Sequence, residues 1–540
     1  MTVSSPSYRP YLIFLLALVA LVLPVLLIEH HVLQLTGGVF MYPLDDTFIH
    51  MAVAKNLALH GNWGVTGDEF QSASSSPLYT VLLAVVFKLF PAHSSIPFLI
   101  NLITGGILLV VIQRWLVREH VGGVWQLLIL LLVIYFTPLP ILIITGMEHT
   151  LQCLFSFLFI FYFSGWVGRQ EKDPSATWKL PWSLYVYGLL VSSIRYEGLF
   201  LIAVACLILL VKRKIGLAFR LGLISCLPIL LFGIYSIRQG SYFLPNSVLI
   251  KSEGPGLSIG GILHFINGVV LPRMTISLDG ISTVAAQRLL LILPLTYIFF
   301  GSRLRQAGSY RYILVLLMTA ALLQCTLAST GWFYRYEAYL ILCTVVILPI
   351  LFYKYKEDAK ESLKRYPLLK AFLLFILFFP LFGRTSAAFR KVSDACVNIY
   401  QQQYQMATFV HKYYDGDVVG VNDVGAVSYF KQAKNLDLWG LAEIKVARSK
   451  RNHYWTPRFL DSLSRRQGTK LAIVYDSWFS DSLLVKWDKV ATWTMPNNVI
   501  CGDSIVSFYA IDSSAEGGLR KNLADFQPSL PPDIRVRYYQ

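Results

Sequence analysis

Tyr42-Pro43-Leu44-Asp45-Asp46-Thr47-Phe48-Ile49-His50 sets two adjacent carboxylates and a histidine just beyond the first long apolar run of the chain. The same loop continues through Gly61-Asn62-Trp63-Gly64 to Ser74-Ser75-Ser76-Pro77, where the next apolar run begins. Charges kept at a membrane surface by an otherwise apolar chain mark chemistry or transport more often than packing. This loop is therefore the first candidate for an active site.

The runs around it decide the class. Of 540 residues, 55% are hydrophobic and 14% charged, against about 25% charged in soluble domains. Apolar runs long enough to cross a bilayer, about 17–25 residues, fall at 11–28, 77–91, 97–117, 124–145, 148–167, 183–211, 217–237, 285–301, 310–328, 337–353 and 367–382. The first lacks a small-x-small cleavage site and is followed directly by Glu29-His30-His31, so it reads as a retained anchor. Lys212, Arg213, Lys214 and Arg220 form one basic cluster, and Arg303, Arg305 and Arg311 a second. Lys354, Lys356, Lys360, Lys364, Arg365 and Lys370 form a third. Counting spans puts all three on one side, the cytoplasmic one by the positive-inside rule. The Asp45 loop, segment 238–284, the short loop 329–336 and everything after 383 then lie outside. These loops account for much of the net charge of +16, so no nucleic-acid partner is implied.

After residue 383 the long apolar runs stop. Val418–Val421, Leu471–Tyr475 and Ile505–Ala510 read as short strands, and 396–413 and 457–466 as helices. The expected architecture is thus a polytopic α-helical membrane domain, residues 1–382 with outer loops 29–76 and 238–284, followed by an extracytoplasmic α/β domain, residues 383–540. Cys396 and Cys501 lie in the latter, where an oxidising compartment permits a disulfide. No CxxC, HExxH, Walker A or GxGxxG motif is present, which argues against zinc, P-loop and dinucleotide sites.

Phe48, Ile49, Ala52, Val53 and Leu57 recur at helical spacing, so residues 46–59 read as an amphipathic helix on the membrane surface. Asp45 suits its N-cap, but a cap needs one carboxylate and two adjacent ones repel. Repulsion and desolvation raise one pKa, which suits a general base. His50, four residues after Asp46, faces it on such a helix, and a satisfied surface histidine is the plainer reading. Ser76 and Pro77 are explained as a helix start. Arg195-Tyr196-Glu197-Gly198 interrupts an apolar run, as a cavity or as an ion pair between helices. Arg335, in Gly331-Trp332-Phe333-Tyr334-Arg335-Tyr336-Glu337, suits an anionic headgroup, although the rings alone fit an interfacial belt. Glu148 lies at a turn between spans. Simple parity places it inside, whereas a break at Pro138 and Pro140 returns it outward.

Taken together these segments resemble the GT-C glycosyltransferases, which use polyprenyl-phosphate sugars. The resemblance rests on the Asp45-Asp46 pair, Ser74-Ser75-Ser76-Pro77, Gly146-Met147-Glu148, Arg195-Tyr196-Glu197-Gly198 and Leu244-Pro245-Asn246-Ser247 with Lys251 trailing it. Bacterial members similar to mycobacterial arabinofuranosyltransferases share this flavour. Those often have Arg-Pro-Glu-Gly where this chain has Arg-Tyr-Glu-Gly, and Leu-Pro-Asn-Thr where it has Leu-Pro-Asn-Ser. Asn422-Asp423-Val424-Gly425-Ala426-Val427-Ser428-Tyr429-Phe430 and Leu436-Asp437-Leu438-Trp439-Gly440-Leu441 resemble their periplasmic domains.

The resemblance implies an inverting transfer on the outer face of the bacterial cytoplasmic membrane. The sugar passes from a polyprenyl-phosphate donor to an envelope glycan, lipid or protein acceptor. Asp45 would deprotonate the acceptor and Asp46 would orient it or steady positive charge at the anomeric carbon. Lys251, Arg335 and Arg195 would hold the departing phosphate, and His50, Glu148, Glu197 and Asn246 would line the substrate. No cofactor is required on this logic. A divalent cation, Mg2+ or Mn2+, bridging Asp45, Asp46 and the phosphate is the variant, since hard carboxylates suit it. The competing readings are a transporter or flippase for an anionic lipid or solute, and a non-catalytic assembly protein. A glycoside hydrolase is disfavoured, because adjacent residues rarely flank one sugar bond from both sides.

Overall fold

The computed structural model describes residues 8–173, 175, 177–251, 267, 285–306, 308–355, 367–430, 434–479, 484 and 486–540. Most of segment 252–284, the basic residues Lys356, Lys360, Lys364 and Arg365, and the side chains of Lys251 and Lys370 lie outside the described residues. The chain divides into two compact units, one of residues 1–28, 98–230 and 252–390, the other of 29–97, 231–251 and 391–540.

The first unit is helical. Among the described residues of the whole chain, five helices are long and apolar enough to cross a membrane: Pro10–Leu35, Ile96–Arg118, His149–Lys172, Ile215–Arg238 and Ser309–Leu327. The expected tally of about eleven is therefore not met by length. Shorter apolar helices stand at several of the remaining positions, and two of the expected spans are broken by identifiable residues. Run 124–145 splits into Gly123–Phe136 and Leu139–Ile144, because Pro138 and Pro140 cannot continue a helix that needs their amides. Run 183–211 splits into Trp182–Ile194 and Gly198–Val211 around Arg195-Tyr196-Glu197. Gly198 is required there, since an added Cβ would meet the backbone of Val191 and Ser192.

In the second unit the C-terminal residues form a six-stranded sheet of order β2-β1-β3-β5-β4-β6. Strands β1 (Val418–Val421), β2 (Asn435–Asp437) and β3 (Thr469–Val474) pair in parallel. Strands β4 (Asp488–Thr494), β5 (Ile505–Ala510) and β6 (Arg535–Tyr538) extend the sheet antiparallel from β3. The three strands and two helices expected from the sequence are present, with β2, β4 and β6 added. One sheet face packs Trp493 and Phe508, with ring centroids 4.4 Å apart, against Phe409 and Phe526 from flanking helices. The other buries Leu438, Val446, Leu460, Val474 and Phe479. The alternation of β6 sends Val536 to one face and Arg535 and Arg537 outward, and charge on an edge strand blocks further pairing. Cys396 and Cys501 are both free thiols, so the permitted disulfide is not formed. Cys501 Sγ instead lies 3.4 Å from Gln403 Oε1.

The loop after β2 is held by one side chain. Asp437 accepts the backbone N–H groups of Trp439 (2.8 Å), Gly440 (2.9 Å), Ala442 (2.5 Å) and Glu443 (3.4 Å). Gly440 has φ +93°, a conformation that other residues adopt only with strain. Asp437→Ala leaves four amides without an acceptor. It is expected to destabilise the loop by about 3 kcal/mol, read as faster amide exchange at Trp439, Gly440 and Ala442.

Candidate active site

Helix Asp45–His60 is not an amphipathic surface helix. Phe48, Ile49, Ala52 and Val53 are buried as expected, but so are Thr47, His50, Met51 and Ala54 on its other sides. His50 is buried, 2% exposed. Its Nδ1 lies 3.1 Å from Ser74 Oγ and 3.3 Å from Thr80 Oγ1, and its ring stands edge-on to Tyr79. Ser74 also accepts the amide of Ser76 at 3.2 Å, while Pro77 opens the next helix. The serine run thus builds the wall that holds His50.

Asp45 is not the cap of its own helix. The cap position is Leu44, with no side-chain bond. The Asp45 carboxylate instead reaches 380 residues along the chain. Oδ2 accepts the amide of Gly425 at 2.7 Å and Oδ1 that of Ala426 at 2.8 Å, at the start of helix Gly425–Phe430. Only 7% of Asp45 is exposed. Gly425 is obligatory at this contact, because an added Cβ would lie 2.6 Å from Oδ2 and closer still to the Asp45 carbonyl.

Asp423 completes the group and was not among the residues singled out from the sequence. Its Oδ2 accepts from Gln403 Nε2 at 2.8 Å and from the Tyr475 hydroxyl at 3.1 Å. Asp45 and Asp423 bond to each other through their side chains. Burial pushes both carboxyls above the ordinary aspartate range. Asp45 rises further through the charge of Asp423, against the pull of the two amides, and Asp423 rises further through Asp46. Two carboxyls in contact disfavour ionising both at once, so the pair is arranged to share a proton.

Asn246 sits fully buried in the same unit. Its amide donates to Ser72 O at 3.0 Å and its Nδ2 to Ala442 O at 3.4 Å, in the loop that Asp437 holds. Leu-Pro-Asn-Ser and Leu-Asp-Leu-Trp-Gly-Leu, distant in sequence, are thus joined. Lys251 ends helix Asn246–Lys251.

Glu148, Arg195, Glu197 and Arg335 lie in the helical unit and meet there. Arg195 Nη1 is 2.6 Å from Glu148 Oε1, and its Nη2 and Nε reach the two oxygens of Glu197 at 2.6 and 3.0 Å. The break at Pro138 thus leads to a turn that sets Glu148 beside Arg195. The Tyr336 ring lies 5.3 Å from the Arg195 guanidinium and 5.0 Å from that of Arg335. Arg335 is 1% exposed and also contacts Met147 Sδ. It follows Trp332, Phe333 and Tyr334, whose φ values of 21°, 53° and 63° are all positive. Such conformations cost of order 1 kcal/mol each and gather at ligand sites.

Among the described residues no group of three or more His, Cys, Asp or Glu is arranged to hold a metal ion. Both Asp45 oxygens and Asp423 Oδ2 already accept protein donors.

A family model described as a domain of unknown function (DUF8728) matches residues 397–509. No curated protein sequence matches the chain. Among solved structures, the Archaeoglobus fulgidus oligosaccharyltransferase in the apo form is similar with a TM-score of 0.53 and 13% identity, over 98% of this chain and 76% of that one. ArnT from Cupriavidus metallidurans bound to undecaprenyl phosphate gives 0.47 and 12% identity, over 92% of this chain and 98% of that one. The likeness to the oligosaccharyltransferase gives the chain the fold of the GT-C glycosyltransferases, as a multi-pass membrane protein with a C-terminal sheet domain.

Two outcomes test the site. Gly425→Ala is expected to push Asp45 off its amides, so exchange at Ala426 accelerates at least tenfold, a loss of about 1.4 kcal/mol. Between the ordinary aspartate range and the raised values, the folded pair binds protons that the released chain has lost. Protection at Gly425 and Ala426, corrected for intrinsic exchange, should therefore fall as pH rises through that interval. Asp423→Asn should flatten the dependence, and a flat profile in the unmodified chain would contradict the shared proton.

Proposed function

We propose that the chain is an inverting glycosyltransferase that moves a sugar from a polyprenyl-phosphate donor to an envelope glycan, lipid or protein acceptor. The reading places it in the bacterial cytoplasmic membrane, with the Asp45 loop and the C-terminal domain on the outer face. The observation that carries it is the couple of buried Asp45 and half-buried Asp423 at the start of a loop-borne helix within a GT-C fold.

The chemistry follows from what each group can do. Each carboxylate oxygen has two lone pairs, so Asp45 keeps acceptor capacity after bonding Gly425 and Ala426. It takes the proton of the acceptor hydroxyl as that oxygen attacks the anomeric carbon. The raised pKa makes it a stronger base than a solvated aspartate. Asp423 holds the couple at one shared proton, and Asp46 lies near enough to orient the acceptor. The donor's glycosyl–oxygen bond breaks with its electrons on the lipid phosphate, which leaves as a stable anion and needs no proton. It needs cations at its oxygens. Lys251 and Arg335 take this role. Arg195 is already bound by two carboxylates, an arrangement that suits positioning of Glu148 and Glu197 more than phosphate capture.

Asp45→Asn is expected to abolish transfer while the protein still inserts and folds. The readout is mass spectrometry of envelope glycans and lipids from a deletion strain complemented with either form. Restoration of the missing sugar by the Asn form would remove Asp45 from the mechanism. Lipid flux without covalent transfer in proteoliposomes would mark a transporter instead. Lys251→Ala is expected to raise the apparent KM for donor several-fold with little change for acceptor, and equal effects on both would count against a phosphate role.

A further inference from the structure

Helix Ile444–Arg451 belongs to the sheet domain, yet it is tied to the end of a bilayer-length helix. Arg448 Nη2 donates to Gly240 O at 2.6 Å, and the Arg451 guanidinium lies 5.1 Å from the Tyr242 ring. Gly240 and Tyr242 directly follow helix Ile215–Arg238, which is 24 residues long with mean hydropathy 2.1. In its last two turns Leu231, Ile234, Tyr235 and Ile237 are exposed, as lipid-facing residues are. The apolar surface stops at Ile237, and Arg238, Arg448 and Arg451 follow, all exposed.

Distance decides what these cations meet. Arg238 is one helical residue past Ile237, an advance of about 1.5 Å, and Gly240, which Arg448 bonds, follows two residues after the helix ends. The headgroup layer beyond the hydrocarbon is about 5–8 Å thick on each side. With Ile237 at the hydrocarbon edge, Arg238 falls at headgroup depth, and the Arg448 bond to Gly240 holds helix Ile444–Arg451 beside it. Among the described residues no carboxylate pairs with Arg238, Arg448 or Arg451. Lys445 on the same helix is left out of the group, because Glu69 acts on it. Three unpaired cations with a Tyr at an interface match phosphate oxygens, which arginine takes up in bidentate fashion.

We propose that Arg238, Arg448 and Arg451 dock the sheet domain onto the phosphate groups of anionic membrane lipids, where helix Ile215–Arg238 leaves the bilayer. The docking surface stands apart from the Asp45 couple and does not rest on the proposed transfer.

The test uses the full chain in nanodiscs of phosphatidylcholine alone, or of phosphatidylcholine and phosphatidylglycerol in equal amounts. Amide exchange over residues 445–453 is expected to slow several-fold in the anionic discs, with about fivefold available per interfacial arginine. Raising salt to about 1 M, where screening acts within about 3 Å, should erase the difference without any substitution. Arg451→Gln, which leaves the Arg448–Gly240 bond in place, should reduce it. Arg448→Gln with Arg451→Gln should remove it. Equal exchange of the unmodified chain in both discs would overturn the proposal. So would protection produced by inorganic phosphate in neutral discs, which would mark a soluble-anion site instead of a lipid contact.

Discussion

The bond between the Asp45 carboxylate and the amides of Gly425 and Ala426 is the constraint on which the rest of the second unit turns. A carboxylate withdrawn from water costs several kcal/mol even after relaxation, unless donors replace the solvent. Here two backbone N–H groups supply them, and a neighbouring carboxyl supplies a proton. Neither segment satisfies itself alone. Helix Asp45–His60 begins without a side-chain cap, and helix Gly425–Phe430 begins with amides aimed at a residue from elsewhere in the chain. The domain matched at 397–509 thus brings Gln403, Asp423 and Gly425 to the first loop. In the proposed reaction that domain is part of the base, not an accessory to it.

The legible parts of this arrangement were those that depend on local chemistry. Two adjacent aspartates after an apolar run stand out in any reading, and Val418–Val421 or Ile505–Ala510 declare themselves by β-branched and aromatic residues. Burial of His50 and Thr47 was not legible, because polar residues enter a core only when partners such as Ser74 and Thr80 meet them, and those partners are fixed by the tertiary fold. Asp423 was passed over for the same reason. The available signal was Gly425 two residues later, since a glycine opening a short helix marks close backbone approach. Strand β4 was hidden by the register shift between Lys489 and Ala491, which breaks the alternation, and β6 by arginines that guard an edge.

The helical unit shows how buried charge reshapes apolar runs. Arg195 and Glu197 are too costly to place mid-helix in hydrocarbon, and the chain breaks there so that Arg195 can meet both Glu197 and Glu148. Arg384 lies inside the unbroken helix Pro367–Ile399 and is matched by pairing alone, set 3.3 Å from Glu337, whose other oxygen accepts the amide of Gly331 at 2.7 Å. The carboxylates and guanidinium groups compensate one another in pairs. The strained Trp332–Tyr334 turn is held between these charges, which is a reason for backbone strain to persist next to Arg335.

The proton balance gives the couple its sense in the proposed transfer. When a sugar leaves a phosphate, the leaving group departs as an anion already stable at neutral pH. The one proton that must move is the acceptor's, so an acid on the donor side would have nothing to do. A single exposed aspartate is a poor base for a hydroxyl, because water stabilises its ionised form. Burial removes that stabilisation, and the price is that the group tends to remain protonated. A second carboxyl resolves the conflict. With Asp45 and Asp423 placed to share a proton, one carboxylate can stay ionised, backed by Gln403 and Tyr475 on one side and two amides on the other. The couple therefore offers basicity without waiting for a buried acid to ionise.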